Sequence, residues 1–142
     1  MYSRHDYREI EEFFQDQRVV LEIIRSLKTV ESKIPIMKLS LLSYPNIPAK
    51  ARPYLMACFL TEKEKVKREL LRVQHFFLSI AEMDVHLPEL MDRLLSADSM
   101  GDFWAFIDSC EKIVAYVYDV LHASVIVGPV AIPVGEGGEE EE

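Results

Sequence analysis

The chain has 142 residues, of which 49% are hydrophobic and 28% charged, and these values predict one soluble domain with a sizeable core. Its formal net charge is -8, and five acidic residues among the last seven positions leave 16 basic and 19 acidic residues in the rest of the chain. A body so close to neutrality argues against a general nucleic-acid-binding protein.

Cysteine use and hydropathy predict a cytoplasmic protein. Cys58 and Cys110 both fall in apolar runs, so we expect buried free thiols, although the sequence leaves a disulfide open. No run of about 18 apolar residues predicts a membrane span, and the polar start of the chain lacks the apolar stretch of a secretory signal. We therefore expect no membrane partner.

The first predicted helix begins at Asp6, with Glu9 three positions later completing a capping-box pair. Apolar residues then recur with helical spacing to Val30. The helix is expected to end near Ser32, because Pro35 disfavours helical geometry in the residue before it. Residues 36–43 then predict a separate short helix.

A second long helix is predicted from Ala49, with Pro53 tolerated in its first turn. The capping-box pattern of Thr61 and Glu64 indicates a bend or a new start at that point. Beyond Thr61, apolar residues that are alternately four and three positions apart predict that the helix continues to about Asp84. The stripe consists of Val66, Leu70, Val73, Phe77 and Ile80.

A short helix from Pro88 to Leu95 and a final long helix complete the predicted elements. Ser99 and Asp102 bracket the predicted start of the final helix, which carries an uninterrupted apolar stripe, namely Phe103, Ile107, Cys110, Val114, Val117 and Leu121. Three long and two short helices predict an all-α bundle over residues 1–126. Residues 127–142 predict a flexible Gly/Pro linker and a disordered acidic C-terminal tail.

No motif predicts a catalytic, metal or cofactor site. Glu-x-x-His and His-x-x-x-His pairs are absent, as are a nucleophile elbow and a glycine-rich phosphate loop. One pair forms an exception: Arg68 and His75 are separated by six residues on one face of the middle helix. This spacing resembles the Arg-(four to six residues)-His signature of HEPN-type nucleases, whose small helical domains cleave RNA with that pair. A solvated helix face is the alternative.

A basic patch and a set of aromatic residues are the candidate contact surfaces. The patch consists of Lys63, Lys65, Lys67, Arg68 and Arg72. It can contact phosphates or receive the acidic tail of the chain itself, while the alternative is a hydrated helix with ion pairs such as Glu64 with Arg68. The aromatic residues predicted to bind a partner or to widen the core are Phe76, Trp104, Tyr116 and Tyr118. The sequence also leaves open a homodimer whose interface is the final helix.

The last residues form an anionic strip that can compete for a cationic surface. Its carboxylates are Glu136, Glu139, Glu140, Glu141 and Glu142. A helical protein with such a tail resembles the acidic-tailed small subunit of the crenarchaeal family-B DNA polymerase holoenzyme. The resemblance implies that the body docks on the large polymerase subunit and that the tail restrains strand displacement by competing with DNA. We therefore expect a non-enzymatic accessory subunit without a cofactor, with HEPN-like RNA cleavage as the alternative.

Overall fold

The computed structural model describes residues 4–81 and 83–122, with side chains from residue 16 onward. These residues form four α-helices, which are α1 Arg4–Ser43, α2 Arg52–Ile80, α3 His86–Met100 and α4 Phe103–Val120. Two short 3-10 helices, Tyr44–Asn46 and Ala49–Ala51, join α1 to α2. No strand occurs in these ranges, so the all-α prediction is confirmed. The predicted linker and acidic tail, residues 127–142, lie outside the described residues.

Helix α1 continues through Pro35, so the predicted end near Ser32 and the separate helix over 36–43 are wrong. Ile34 and Met37, on either side of the proline, are both buried in the core. Burying two such side chains contributes about 1.5–3 kcal/mol each, which outweighs the roughly 3 kcal/mol cost of an interior proline. The proline ring itself is exposed, so it displaces no core side chain.

Helices α1 and α2 form a long antiparallel hairpin. Lys33 and Glu62 make an ion pair of 2.7 Å near its closed end, and Glu22 pairs with Arg72 farther along. Pro53 lies in the first turn of α2, as predicted, because its missing N–H has no intrahelical acceptor there. No new helix starts at Thr61, because α2 is continuous there, and α2 ends at Ile80, four residues before the expected position.

Helices α3 and α4 form a second, shorter hairpin with a tight turn. Gly101 closes α3 with a φ of 71°, a left-handed conformation that glycine adopts without steric cost. The Asp102 carboxylate then accepts a 3.1 Å hydrogen bond from the backbone N–H of Ala105 and caps α4. Of the two residues that bracket the predicted start, Asp102 is therefore the cap, and Ser99 belongs to α3. Helix α3 extends beyond the predicted Pro88–Leu95 range at both ends.

The two hairpins share one core, because α1 packs against both α2 and α4 and α3 packs against α4. The apolar stripe of α4 is buried from Ile107 to Leu121, so it serves the core of this chain. The largest fully buried side chains are Phe59, Phe77, Phe106, Ile23, Leu27, Met37, Leu70, Leu87, Met91, Leu94, Ile107 and Ile113. Within the described ranges, no helix has the length and apolar character that crossing a membrane requires.

Candidate docking surface

Two cations of the predicted basic patch belong to one ion-pair cluster, in which Lys63 is buried and Lys67 is partly buried. Lys63 and Lys67 on α2 both donate hydrogen bonds to the Asp98 carboxylate on α3, Lys67 at 2.9 Å. The Lys63 ammonium also lies 5.5 Å from the ring centroid of Phe106. Burial alone would raise the pKa of Asp98, but hydrogen bonds from the two lysines hold it below its ordinary value. This cluster joins α2 to α3 and leaves little charge for a phosphate.

The outer members of the basic patch differ from one another. Lys65 pairs with Glu62 at 3.4 Å and Arg72 pairs with Glu22. Arg68 is exposed, and the carboxylate of Glu64, which was expected to pair with it, instead lies near the ammonium groups of Lys63 and Lys67. Four of the five predicted patch residues therefore have carboxylate partners.

Arg68 and His75, the pair that resembles an RNA-cleaving signature, are both exposed on α2. Seven positions on a helix correspond to about two turns, so the side chains share a face about 10 Å apart along the axis. The His75 ring meets the edge of the neighbouring Phe76 ring at a centroid distance of 5.4 Å. The structure thus places the pair on one accessible face.

Two of the predicted partner-binding aromatics form internal contacts between helices. Tyr116 on α4 donates its hydroxyl hydrogen to Asp84, in the segment before α3, and Tyr118 donates to Glu31 on α1 at 2.8 Å. Burial, followed by the hydrogen bond to the carboxylate, raises the pKa of each tyrosine to about 12. These hydroxyl groups therefore join parts of the same chain.

The other two predicted aromatics lie nearer the surface. Phe76 is half-buried beneath Arg72, whose guanidinium carbon is 5.3 Å from the ring centroid. Trp104, in the first turn of α4, is 49% exposed. The four aromatics therefore do not form one continuous exposed face, and Trp104 is the member most available to a partner.

A different surface combines exposed apolar groups with a long stretch of chain that has no acidic residue, and sequence reasoning missed it. Residues 32–61, which form the closed end of the α1–α2 hairpin, contain no Asp or Glu. Their basic residues are Lys33, Lys38, Lys50 and Arg52. Lys33 and Lys38 pair with Glu62 and Glu111, both at 2.7 Å. The signal that could have revealed this surface was the run of 30 residues without an acid in a chain of net charge -8.

Lys50 and Arg52 give the hairpin end its positive charge. Neither has a carboxylate partner among the residues that the structure describes. A terminal nitrogen of Arg52 donates a hydrogen bond of 3.2 Å to the carbonyl of Pro45, and its guanidinium lies 5.6 Å from the Tyr44 ring centroid. Its Nε is buried without a hydrogen-bond partner. Because this Nε is buried, it is not accessible to a partner, and Lys50 is the more exposed of the two cations.

The apolar part of this end is a shallow groove between α1 and α2. Ile36, Leu39 and Tyr54 are 45%, 65% and 76% exposed, and Cys58 is also exposed. The groove has a volume of about 410 Å³, and its lining residues are Ile36, Ala57, Cys58, Thr61 and Glu62. We define the hairpin tip surface by Ile36, Leu39, Tyr54, Ala57 and Cys58; Lys50 and Arg52 belong to the same end of the hairpin. Exposed apolar groups of this kind are typical of a docking site.

A second groove, with a volume of about 490 Å³, lies between α1 and α4. Ile34 and Val114 form its apolar floor, while Glu31 and Glu111 place carboxylates on its rim. Pro35 also lines it, and because proline has no N–H the Glu31 carbonyl loses its usual helical donor. Lys38 also lines this groove and pairs with Glu111 at 2.7 Å.

The chain matches no family model, no curated protein and no solved structure. Interpretation of its surfaces therefore depends on their own chemistry. Across residues 4–81 and 83–122, no three His, Cys, Asp or Glu side chains come together as a potential metal site.

Proposed function

We propose that this chain is a non-enzymatic accessory or adaptor subunit that docks on a larger protein through the hairpin tip surface. The observation that carries the proposal is the coincidence of exposed apolar side chains with an acid-free stretch of 30 residues. The partner segment that fits has apolar side chains next to carboxylates. Burial of Leu39 and Tyr54 would contribute about 1.5–3 kcal/mol each, and Lys50 and Arg52 would select the acidic partner.

A replicative DNA polymerase is the larger protein that the acidic tail favours. The support is the resemblance of the helical design and of Glu136 and residues 139–142 to the polymerase small subunit. In this proposal the body docks on the polymerase, Trp104 adds an aromatic contact, and the tail competes with DNA for a basic surface of the polymerase. Competition of this kind weakens steeply as the salt concentration rises.

Site-specific photo-crosslinking in the native cell tests the docking surface. A benzophenone amino acid replaces Leu39 in one variant and Leu21 in the control, because both leucines are exposed on α1 but only Leu39 belongs to the hairpin tip surface. We expect position 39 to crosslink to one larger protein, at a peptide with apolar and acidic residues, and position 21 to give no such product. Crosslinks at both positions alike, or from position 39 to a second copy of this chain, would contradict the adaptor proposal.

RNA cleavage remains the second candidate, favoured by the exposure of Arg68 and His75 on one face of α2. A general acid or base needs only access to the reacting phosphate and a suitable pKa. The test compares cleavage of a labelled RNA by the wild-type protein and by His75→Ala, with His86→Ala as the control. Loss of cleavage in His75→Ala alone would replace the adaptor proposal, and equal absence of cleavage in all three proteins eliminates the nuclease.

A further inference from the structure

We propose that the groove between α1 and α4 binds a small organic amine, in which a protonated nitrogen is attached to an apolar body. The ammonium group lies at Glu31, at one end of the groove, and the apolar body covers Ile34 and Val114 on its floor. None of the residues that line this groove belongs to the hairpin tip surface, so the amine site does not depend on the proposed function.

Two contacts between the antiparallel helices α1 and α4 mark the ends of the groove. Tyr118 donates a hydrogen bond of 2.8 Å to the Glu31 carboxylate, and Lys38 pairs with Glu111 at 2.7 Å. Seven positions separate the two contacts on each helix, which corresponds to about two turns, or about 10 Å along the axis. Between them the groove is lined by Ile34, Pro35, Val114 and Ala115.

The two ends of the groove differ in charge. At one end the ammonium of Lys38 balances the carboxylate of Glu111. At the other end Glu31 is exposed, and across the described part of the chain no Lys, Arg or His lies within ion-pair distance of it. Its partner Tyr118 is neutral, because burial and the hydrogen bond to the carboxylate raise the pKa of the tyrosine to about 12. The Glu31 end therefore has one unbalanced negative charge.

Pro35 leaves a second acceptor at the same end of the groove. In a regular helix the Glu31 carbonyl accepts the N–H of the residue four positions later, and proline has no N–H. The missing hydrogen bond belongs to the surface of α1 between Glu31 and Pro35, and both residues line the groove. A carboxylate and a carbonyl oxygen accept hydrogen bonds and donate none. The group that satisfies both is a positively charged donor, such as an ammonium with its three N–H groups.

The middle of the groove accepts an apolar body. Ile34 and Val114 are 8% and 7% exposed, so they form a firm floor, and the exposed ring of Pro35 forms part of the wall. The volume of about 490 Å³ falls within the range of about 300–1,000 Å³ that small-molecule sites occupy. The pair of Lys38 and Glu111 ends the apolar stretch about 10 Å from Glu31, so an unbranched body of about six carbon atoms fits.

Charge distinguishes this groove from the one between α1 and α2. Glu62 also places a carboxylate in that second groove, but Lys33 and Lys65 pair with it at 2.7 Å and 3.4 Å. Hydrogen bonding to Lys33 holds the pKa of Glu62 below its ordinary value. An ammonium ligand would compete there with two lysines, whereas at Glu31 it meets an unbalanced carboxylate.

A titration followed by nuclear magnetic resonance tests the site, with hexylammonium chloride added to the isotope-labelled full-length protein at pH 7. The probe is fully protonated there, because alkylamines resemble lysine, whose pKa is about 10.4. We expect saturable shifts of the backbone amides of Glu31, Val114 and Ala115, with a Kd on the order of 1 mM. Hexan-1-ol has the same chain without the charge and should bind at least about tenfold more weakly. Hexanoate, with the opposite charge, should cause no saturable shift at these amides.

Three variants separate the two acceptors from net charge. Glu31→Gln removes the carboxylate and should raise the Kd of hexylammonium about tenfold, which corresponds to 1.4 kcal/mol. Pro35→Ala returns a helical donor to the Glu31 carbonyl and should raise the Kd about threefold. Asp92→Asn is the control, because it removes an exposed carboxylate of α3 that does not line the groove, and it should leave the Kd unchanged. All three positions are exposed, and the amide spectrum of each free variant verifies its fold.

Three results would overturn the inference. Saturable shifts that are absent from the groove would place the amine elsewhere or nowhere on the protein. Equal affinities for hexylammonium and hexan-1-ol would show that the groove recognises only the apolar chain. A Kd that is unchanged in Glu31→Gln, or raised as much in Asp92→Asn, would show that the Glu31 carboxylate does not hold the ammonium. None of these results bears on the crosslink from Leu39 to a partner, so the proposed function fails or stands separately.

Discussion

At the residue scale, the ion-pair cluster around Asp98 has the clearest energetic role. Lys63 is almost entirely buried, and Asp98 is its carboxylate partner across the α2–α3 contact. Asp98→Asn leaves that buried ammonium without its main counter-charge, so we expect a loss of about 2 kcal/mol in the free energy of unfolding. Urea denaturation measures it. The control Asp108→Asn removes an exposed pair with Lys112 and should cost less than about 0.5 kcal/mol.

The same cluster predicts a pH dependence. Because Lys63 and Lys67 hold the pKa of Asp98 below its ordinary value, its contribution is present above the pKa of the unfolded chain and is lost as the pH falls through the folded pKa. The difference in unfolding free energy between the wild type and Asp98→Asn should therefore shrink as the pH falls below about 4. A difference that stays constant down to the acid transition would contradict this assignment.

Tyr116 and Tyr118 predict the opposite dependence at high pH. Their pKa values are raised to about 12, so their contribution is complete below the unfolded value near 10 and disappears as the pH rises towards 12. Ultraviolet titration of tyrosinate should show two late-ionising groups. Tyr116→Phe and Tyr118→Phe should each remove one, and an unchanged number in either variant would refute the corresponding hydrogen bond.

At the scale of the helix, Pro35 lowers the stability of α1, and the burial of neighbouring side chains outweighs this loss. Pro35→Ala restores a helical N–H to the Glu31 carbonyl and leaves the core unchanged, since the proline ring is exposed. We expect the free energy of unfolding to rise by about 1–3 kcal/mol. Pro53→Ala is the matched control, because a proline in the first turn of a helix removes no hydrogen bond, and it should change stability by less than about 0.5 kcal/mol. Equal effects would contradict this account.

Helix identity could be predicted from the sequence, whereas helix boundaries could be predicted only where a local signal decides them. Asp102 and Pro53 act on their own turns, so the sequence alone indicates their positions. Pro35 and Thr61 also carry local stop or start signals, but α1 and α2 continue through both. The tendency of Pro35 to end the helix is outweighed by the burial of its neighbours. That burial depends on helices more distant in the chain.

Site residues were harder to predict because their roles depend on contacts across the fold. Lys63 and Lys67 look like members of a basic patch until Asp98, more than 30 positions away, is placed beside them. The sequence likewise predicts Tyr116 and Tyr118 as exposed aromatic residues, whereas in the structure their hydroxyl groups donate hydrogen bonds to carboxylates elsewhere in the fold. The acid-free run over residues 32–61 was visible in the sequence, but its exposure required the hairpin.

At the scale of the whole molecule, charge is distributed unevenly along one chain. The hairpin end is acid-free, the α1–α4 groove and the outer side of α4 are rich in carboxylates, and Glu136 and residues 139–142 concentrate anionic charge at the C-terminal end of the sequence. Such a distribution favours contact between the hairpin end and an acidic partner segment. The proposed function places that contact on the hairpin tip surface.

The affinity of the purified complex with the crosslinked partner tests the central claim most directly. Leu39→Asp places a charge in the groove and should weaken binding about 100-fold, or about 2.7 kcal/mol. Leu21→Asp makes the same change at a similarly exposed leucine of α1 and should weaken it less than about threefold. Equal weakening by the two variants, or undiminished binding of Leu39→Asp, would contradict docking through the hairpin tip surface.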